Sequence, residues 1–503
     1  MTKFYITTAI PYVNAKPHVG HAIEFVQADV MARYRKLRGY DVFMTTGTDE
    51  NSLTNVLAAE KAGMGVEEFC AMNSGAFRKL ADGIGLSYDS FVRTAVDRDH
   101  ARVAALLWEK CSRNGDIYRK VYRGLYCVRC ELYYTESELQ GGLCPDHGIR
   151  PELVEEDNYF FRLSAYQDRL AGLIESGRLK VTPEAKRNEV LSFIKSGLED
   201  FSVSRSVKRA HGWGIPVPGD STQIMYVWFD ALGTYLTGAG MPSDMDRFSR
   251  LWPADVHVIG KGILRFHAVY WPAMLISAGL ELPSEIFVHG YVTVGGQKMS
   301  KSIGNVVDPE AMIGRYGADP LRYYLMKDIS TFEDGDFSEK ALKNAINSEL
   351  VGNLGNFVNR TLSFIYDKLA GEVSGQELGS GRLVMDKVHS LSKETWALLD
   401  GGQLNAALLR IMEVSSIGNK YFQESEPWRL LKEGDGRAVN EILLVCANMC
   451  RTLAVLSWPY MPSASERLLS LLGQGGMPAA GDATALLHGL TVGKPSILFS
   501  KVE

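Results

Sequence analysis

The first fifty residues switch between two hydrophobic periods. Phe4-Tyr5-Ile6-Thr7-Thr8-Ala9-Ile10 is a run of aromatic and β-branched residues, as a buried strand requires. A loop with Pro11, Asn14 and Pro17 follows. From about His21 to Arg38 the apolar residues Ile23, Val26, Val30, Tyr34 and Leu37 recur three or four apart, and Gly39 ends the pattern, which predicts a helix. A second strand, Asp41 to Thr46, leads into Gly47-Thr48-Asp49-Glu50. Strand, helix, strand in this order predicts a parallel sheet with a right-handed crossover, and such sheets bind ligands at the carboxyl ends of their strands. Between about 116 and 220 the alternation breaks into short mixed elements, read as an insertion. It resumes with a strand at Val256–Ile259, a helix at Leu264–Ser277 and a strand at Ile286–Val294 before Gly295-Gly296. From about 340 to 474 only helical periodicity remains, and 475–503 is Gly- and Ala-rich before a short apolar stretch.

A chain of 503 residues predicts two to four domains. Its net charge of −5 does not point to nucleic acid, yet a large acidic enzyme can carry a local basic groove. The opening residues run into Pro11 without the basic flank and long apolar core of a signal peptide, and no apolar run reads as long enough to span a bilayer. The expected compartment is the cytoplasm. Seven cysteines are too few and odd in number for a disulfide framework, and three of them fall within 18 residues, a spacing closer to metal chemistry. Cys127-x₂-Cys130 and Cys144-x₂-His147 would supply three thiolates and one imidazole to a tetrahedral zinc with no open position, hence a structural ion. Cys70, Cys111, Cys446 and Cys450 are expected to be buried thiols.

Two further motifs carry nucleotide chemistry. His18-Val19-Gly20-His21 lies between the first strand and helix, where two imidazoles, free backbone N–H groups and the helix dipole can meet phosphate oxygens, and Gly20 leaves room for a flat base. Lys298-Met299-Ser300-Lys301-Ser302 lies after a strand and a Gly-Gly loop, where two lysines can neutralise a leaving pyrophosphate. Each motif alone is a weak signal, the first as capping chemistry and the second as a solvated basic loop. Together they resemble the hallmark motifs of class I aminoacyl-tRNA synthetases. The second matches in full, and the first differs only in Val19.

The resemblance extends to at least Trp428 and is to the methionyl-tRNA synthetases in particular. It rests on Thr7-Thr8-Ala9-Ile10-Pro11-Tyr12-Val13-Asn14, on Val227-Trp228-Phe229-Asp230-Ala231-Leu232 and on Gly260-Lys261-Gly262-Ile263-Leu264-Arg265-Phe266-His267. It implies that Ile10, Tyr12, Trp228, Ala231, Leu232, Tyr235, Ile263 and His267 line a methionine pocket, where aromatic walls suit a polarizable thioether. Asp49 would pair the substrate ammonium, which must be compensated once desolvated. It implies that ATP, carried with Mg²⁺, meets His18, Gly20, His21, Lys298, Ser300 and Lys301, with the two histidines and two lysines catalytic. It places the zinc knuckle in the insertion, and it implies that Asn356, Arg360 and Trp428 read the anticodon, amide and guanidinium bonding base edges while a base stacks on the indole. The sequence departs from the pattern at Asn51-Ser52, where His-Gly is usual, and at Gly262, often acidic.

The fold implied is α/β: a Rossmann-type parallel-sheet catalytic domain (1–115 and 221–340), split by a zinc-containing connective insertion (116–220) and followed by an all-α helical-bundle anticodon-binding domain (341–503). The implied partners are L-methionine, ATP and methionine tRNA, initiator and elongator, with no membrane. No appended oligonucleotide-binding domain is read after residue 500, so a monomer is expected. An insertion of about 100 residues leaves little room for the editing domain that discrimination by one methylene demands. Two other readings fit the sequence less well. A small-molecule nucleotidyltransferase would leave the helical third unexplained. A non-catalytic tRNA-binding paralogue should lose Lys298 and Lys301, and both are present.

Overall fold

The computed structural model describes the chain apart from Met1, 128–131, 135, 146–147, 300–303 and 376–377, and apart from the side chains of Leu132, Tyr133, Ser137 and Ser380. Its centre is a six-stranded parallel sheet. The order across it is Ser90–Arg93, Asp41–Thr48, Lys3–Thr8, Val256–Gly260, Glu285–His289 and Lys180–Thr182. Register is set by pairs such as Ile6↔Met44 on one side of the first strand and Ile6↔Val256 on the other. The chain builds outward in opposite directions from Lys3–Thr8 and Val256–Gly260. Their carboxyl ends therefore flank the point where the strand order reverses, the position at which such sheets open a crevice.

The first helix runs Val19–Leu37, two residues earlier than its apolar period predicts, because His18 caps it. The predicted helix at 264–277 is irregular: a π-turn at Phe266–Tyr270 precedes a regular segment, Trp271–Ser277. Pro272 sits at that join and has no N–H to offer the preceding ladder. The strand expected at 286–294 is two strands. Glu285–His289 belongs to the large sheet, whereas Val292–Val294 pairs antiparallel with Gln297–Lys298. Gly295 and Gly296, with φ of 62° and 72°, make the tight hairpin between them and set Lys298 opposite Thr293.

Within 116–220, Ile117–Cys127 and Glu152–Phe161 form a long antiparallel hairpin, flanked by Leu132–Tyr134 and Phe201–Ser202. Lys180–Thr182, from the same stretch, instead closes the edge of the parallel sheet. Five longer helices dominate the last third: Asn356–Lys368, Arg382–Asp400, Leu404–Ser425, Gly436–Ser457 and Pro462–Leu471. The reading of that third as purely helical needs one correction, since Glu372–Ser374 pairs with Gly489–Thr491. A second correction concerns hydropathy. Gly436–Ser457 is long and apolar enough to cross a bilayer, but 89% of its most apolar window is buried in the bundle, so its hydrophobicity is that of a core helix. One apolar core runs without interruption from Ile6, Ile23 and Val26 under the sheet to Phe357, Leu408 and Leu443 in the bundle. Cys70, Cys111, Cys446 and Cys450 are buried thiols, as expected.

Candidate active site

A cavity of about 320 Å³ opens at the carboxyl ends of the two central strands. Ala9, Ile10 and Tyr12 reach it from the first strand end, Gly260, Gly262 and Ile263 from the neighbouring one, His18, Gly20 and His21 from the helix N-terminus, and Lys298 from the hairpin. Trp228 closes another wall. A concave, mostly apolar site with a few convergent polar groups is what a small ligand requires.

The His18 and His21 rings lie 4.0 Å apart. The Gly20 backbone N–H donates to His18 Nδ1 at 3.1 Å, and the His18 N–H donates to His21 Nδ1 at 3.1 Å. Each neutral ring therefore carries its proton on Nε2. Burial, reinforced by the Lys298 charge, pushes the His18 imidazole down to about 4. Burial and then His18 push His21 well below its usual range. Both rings are neutral donors near pH 7. Gly20 is required on the protein side too: a Cβ there would stand 2.8 Å from His18 Cε1 and 3.4 Å from the Met299 methyl. The two motifs thus touch. Ser300 and Lys301 lie outside the described residues.

Sequence reading missed Glu24, Phe25, His289 and Tyr291, and gave no role to Met299 of the lysine motif; all of these line the cavity. His289 Nε2 lies 3.0 Å from Glu24 Oε2, linking the strand end to the first helix. The available signals were position alone: Glu24 is one turn beyond His21, and His289-Gly290-Tyr291 follows a strand end.

Of the residues read as a methionine pocket, Ile10, Tyr12, Trp228 and Ile263 line the cavity. Trp228 stacks on Phe266 at 4.0 Å and faces Tyr12 at 6.1 Å. Ala231, Leu232, Tyr235 and His267 are buried behind this wall. The ring nitrogens of His267 are both engaged, Nδ1 with the Ile263 carbonyl at 3.0 Å and Nε2 with the Tyr235 hydroxyl at 2.7 Å. Burial lowers the His267 imidazole to about 4, so it is a neutral acceptor for that hydroxyl. Asp49 is 1% exposed and bridges to Tyr12, its N–H donating to the Pro11 carbonyl at 2.9 Å. The departure at 51–52 has a local use. Asn51 Nδ2 donates to Asp230 Oδ1 at 3.4 Å, and Ser52 caps the helix Leu53–Ala62 through the Thr54 N–H at 3.0 Å.

Cys127 and Cys144 are both buried in one small cluster with Tyr134. Two soft donors brought together in this way fit one shared ion. Cys130 and His147 lie outside the described residues, and among the described residues no group of three metal-ligating side chains forms. Far from the cavity, Asn356 Nδ2 donates to Asn419 Oδ1 at 2.8 Å and Arg360 donates to Gln423 Oε1 at 2.9 Å. The Arg360 guanidinium covers the Phe422 ring at 4.7 Å, and that ring lies 6.0 Å from Trp428. Asn356, Arg360 and Trp428 therefore gather around one helix, Leu404–Ser425, and the turn after it.

Comparison with known proteins agrees with this layout. A family model described as "tRNA synthetases class I (M)" matches residues 4–150 and 144–362, and one described as "Anticodon binding domain of methionyl tRNA ligase" matches 375–503. The methionine–tRNA ligase of Brucella melitensis is 42% identical over 476 residues, covering 93% of this chain and 92% of its own. That of Rhizobium meliloti is 40% identical over 509 residues, covering 99% and 98%. The Mycobacterium tuberculosis methionyl-tRNA synthetase in complex with methionyl-adenylate superposes with a TM-score of 0.95 at 40% identity, covering 99% of this chain and all of that one.

Proposed function

Since this chain belongs to the class I methionyl-tRNA synthetases, we propose which of its residues carry each part of their reaction. The activity is methionine–tRNA ligation: methionine and ATP give methionyl-adenylate and pyrophosphate, and the aminoacyl group then passes to the 3′-terminal adenosine of methionine tRNA. The observation that carries the assignment is the convergence of His18, His21 and Lys298 on one cavity whose far wall is Tyr12 and Trp228.

In the first step a carboxylate oxygen of methionine attacks the α-phosphorus of ATP, and the bond to the bridging oxygen breaks with its electrons leaving on pyrophosphate. His18 and His21 donate Nε2–H to phosphoryl oxygens as charge builds. Neutral donors suit this, since they bind without first having to be protonated. Lys298 and Lys301 take the charge on the departing pyrophosphate, with Ser300 and Gly20 completing the ATP contacts. Mg²⁺ arrives on the triphosphate. Tyr12, Ile10, Trp228 and Ile263 hold the thioether side chain. Ala231, Leu232, Tyr235 and His267 back that wall, and the Tyr235–His267 hydrogen bond keeps it in one arrangement. Asp49 pairs the substrate ammonium. Positioning both substrates supplies much of the remaining rate.

Cys127, Cys130, Cys144 and His147 hold one structural Zn²⁺ in the insertion, taken as 116–220 between catalytic halves 1–115 and 221–340. Asn356, Arg360 and Trp428 of the domain 341–503 read the anticodon of initiator and elongator tRNAs. The protein works as a cytoplasmic monomer. The test is exchange of labelled pyrophosphate into ATP with each of the twenty amino acids. Methionine alone should support it, and equal exchange with another amino acid would overturn the pocket assignment.

A further inference from the structure

Tyr291 stands in the cavity wall two residues beyond the strand Glu285–His289. Its backbone N–H donates to Asp334 Oδ1 at 2.9 Å, which fixes the point from which the ring projects. The ring reaches across to Gly262 so closely that a Cβ at 262 would overlap the tyrosine hydroxyl. Glycine at 262 is therefore what lets the Tyr291 ring stand here, and a Cβ at 262 would force the hydroxyl end of that ring to shift.

Two ammonium groups cover that ring, Lys261 at 4.7 Å and Lys298 at 5.0 Å from its centroid. They are not equivalent. Lys261 Nζ is paired with Asp334, 2.7 Å from Oδ1 and 2.8 Å from Oδ2. Among the described residues no carboxylate pairs with Lys298, and the Tyr291 π face is its charge-attracting neighbour.

We infer that Tyr291 is the positioning residue for the first motif lysine: Gly262 leaves the space for its ring, and the ring face holds the Lys298 ammonium beside the histidine pair. The inference rests on Lys298 acting on the phosphates as proposed above. A π face suits this task better than a carboxylate. Its quadrupole attracts the ammonium and restricts its position. It leaves the net positive charge uncancelled and adds no negative charge to repel an incoming triphosphate. The lowered His18 pKa, to which Lys298 contributes after burial, agrees with an ammonium held close to that imidazole.

The experiment is methionine-dependent pyrophosphate exchange, with thermal midpoints measured in parallel, for Tyr291→Phe, Tyr291→Leu, Gly262→Ala, Lys298→Ala and the double variants. Tyr291→Leu removes the π face and should lower kcat about two- to fivefold, the size of one cation–π contact to an exposed ammonium. The KM for methionine should not move. Tyr291→Phe keeps the face and should restore most of that loss. Gly262→Ala should reproduce Tyr291→Leu, and the two together should be no worse than either, because the overlap is gone. In a Lys298→Ala background Tyr291→Leu should cost nothing further. If Lys298→Ala keeps wild-type kcat, the role of Lys298 falls and this inference falls with it. If Lys298→Ala is slow but the Tyr291→Leu and Lys298→Ala losses multiply, or if Tyr291→Phe loses as much as Tyr291→Leu, the inference alone is overturned.

Discussion

The Gly20 and His18 backbone N–H groups each donate to an imidazole Nδ1, which leaves Nε2–H of both rings as the donor. Because burial pushes the His18 pKa down to about 4 from an ordinary 6.5, the neutral form persists as pH falls through 6 and is lost only near 4. The rate of pyrophosphate exchange at saturating substrates should therefore show no inflection from this pair between pH 6 and 8, and should decline as pH approaches 4. An inflection near 6.5 that disappears in His18→Gln would show an ordinary, exposed imidazole instead. At the lysine motif, Lys301→Ala should reduce adenylate formation by roughly 10²–10³-fold, as for loss of one transition-state donor, with little change in methionine affinity. Exchange at the wild-type rate would remove Lys301 from the mechanism. The two motifs were legible in the sequence because each is local. The protonation of His18 was not, since it depends on burial and on a lysine about 280 residues away.

At the scale of elements, capping chemistry places the histidines. His18 closes the helix start that its own motif creates, so the dipole end and the imidazoles face the cavity together. In the bundle, Leu404–Ser425 ends at Glu426 in the left-handed region with φ of 44°, and Pro427 starts the next short helix carrying Trp428. The turn is what brings Trp428 beside Phe422, the ring that Arg360 covers. Loss of a base–aromatic stack costs roughly 1–3 kcal/mol, so Trp428→Ala should weaken tRNA charging about ten- to a hundredfold while exchange without tRNA stays near wild type. Asn356→Ala and Arg360→Ala should behave alike, and an anticodon-altered tRNA should be insensitive to all three. Abolished exchange in folded Trp428→Ala would instead tie this helix to the catalytic core. In the insertion, metal analysis should give about one zinc per chain, and chelation should increase hydrogen exchange in the hairpin 117–161 more than in the parallel sheet. Fully active protein without zinc would remove the knuckle.

Across the whole molecule, a buried arginine joins the catalytic sheet to the bundle. Arg322 donates to the Pro459 and Tyr460 carbonyls at 2.8 Å each, to the Ile84 carbonyl at 3.1 Å and to Asp29 at 2.6 Å. Burial raises the Asp29 carboxyl, but Arg322 and Arg33 outweigh it and hold it below its usual value. Asp29 lies on the first helix, the one capped by His18, and Tyr34 farther along stacks on Trp396 of the bundle at 5.6 Å. The helix that presents the histidines is thus gripped by the anticodon half. Arg322→Met leaves Asp29 with Arg33 as its one cation, beside the Ser87 N–H and hydroxyl, and takes the arginine donor from three carbonyls. It should destabilise the protein by about 3 kcal/mol, read as a lower urea midpoint, and impair tRNA charging more than exchange. An unchanged midpoint would mean that the apolar core alone joins the halves.

The sequence by itself determined what short-range chemistry determines. Period-two and period-3.6 patterns place the first strand and helix, the two motifs carry their own chemistry, and cysteine spacing suggests a knuckle. These depend on neighbours within one or two turns, which a linear reading can inspect. The tertiary structure decided what depends on distant partners. Only folding reveals that Lys180–Thr182 leaves its surroundings to edge the parallel sheet, that Tyr291 fills the space over Gly262, and that Tyr235 and His267 bond each other behind the cavity wall. The same holds for Arg322 and Asp29, 293 residues apart. No periodicity encodes such pairs, because the cost of burying a charge or polar group is set by whatever the fold brings against it.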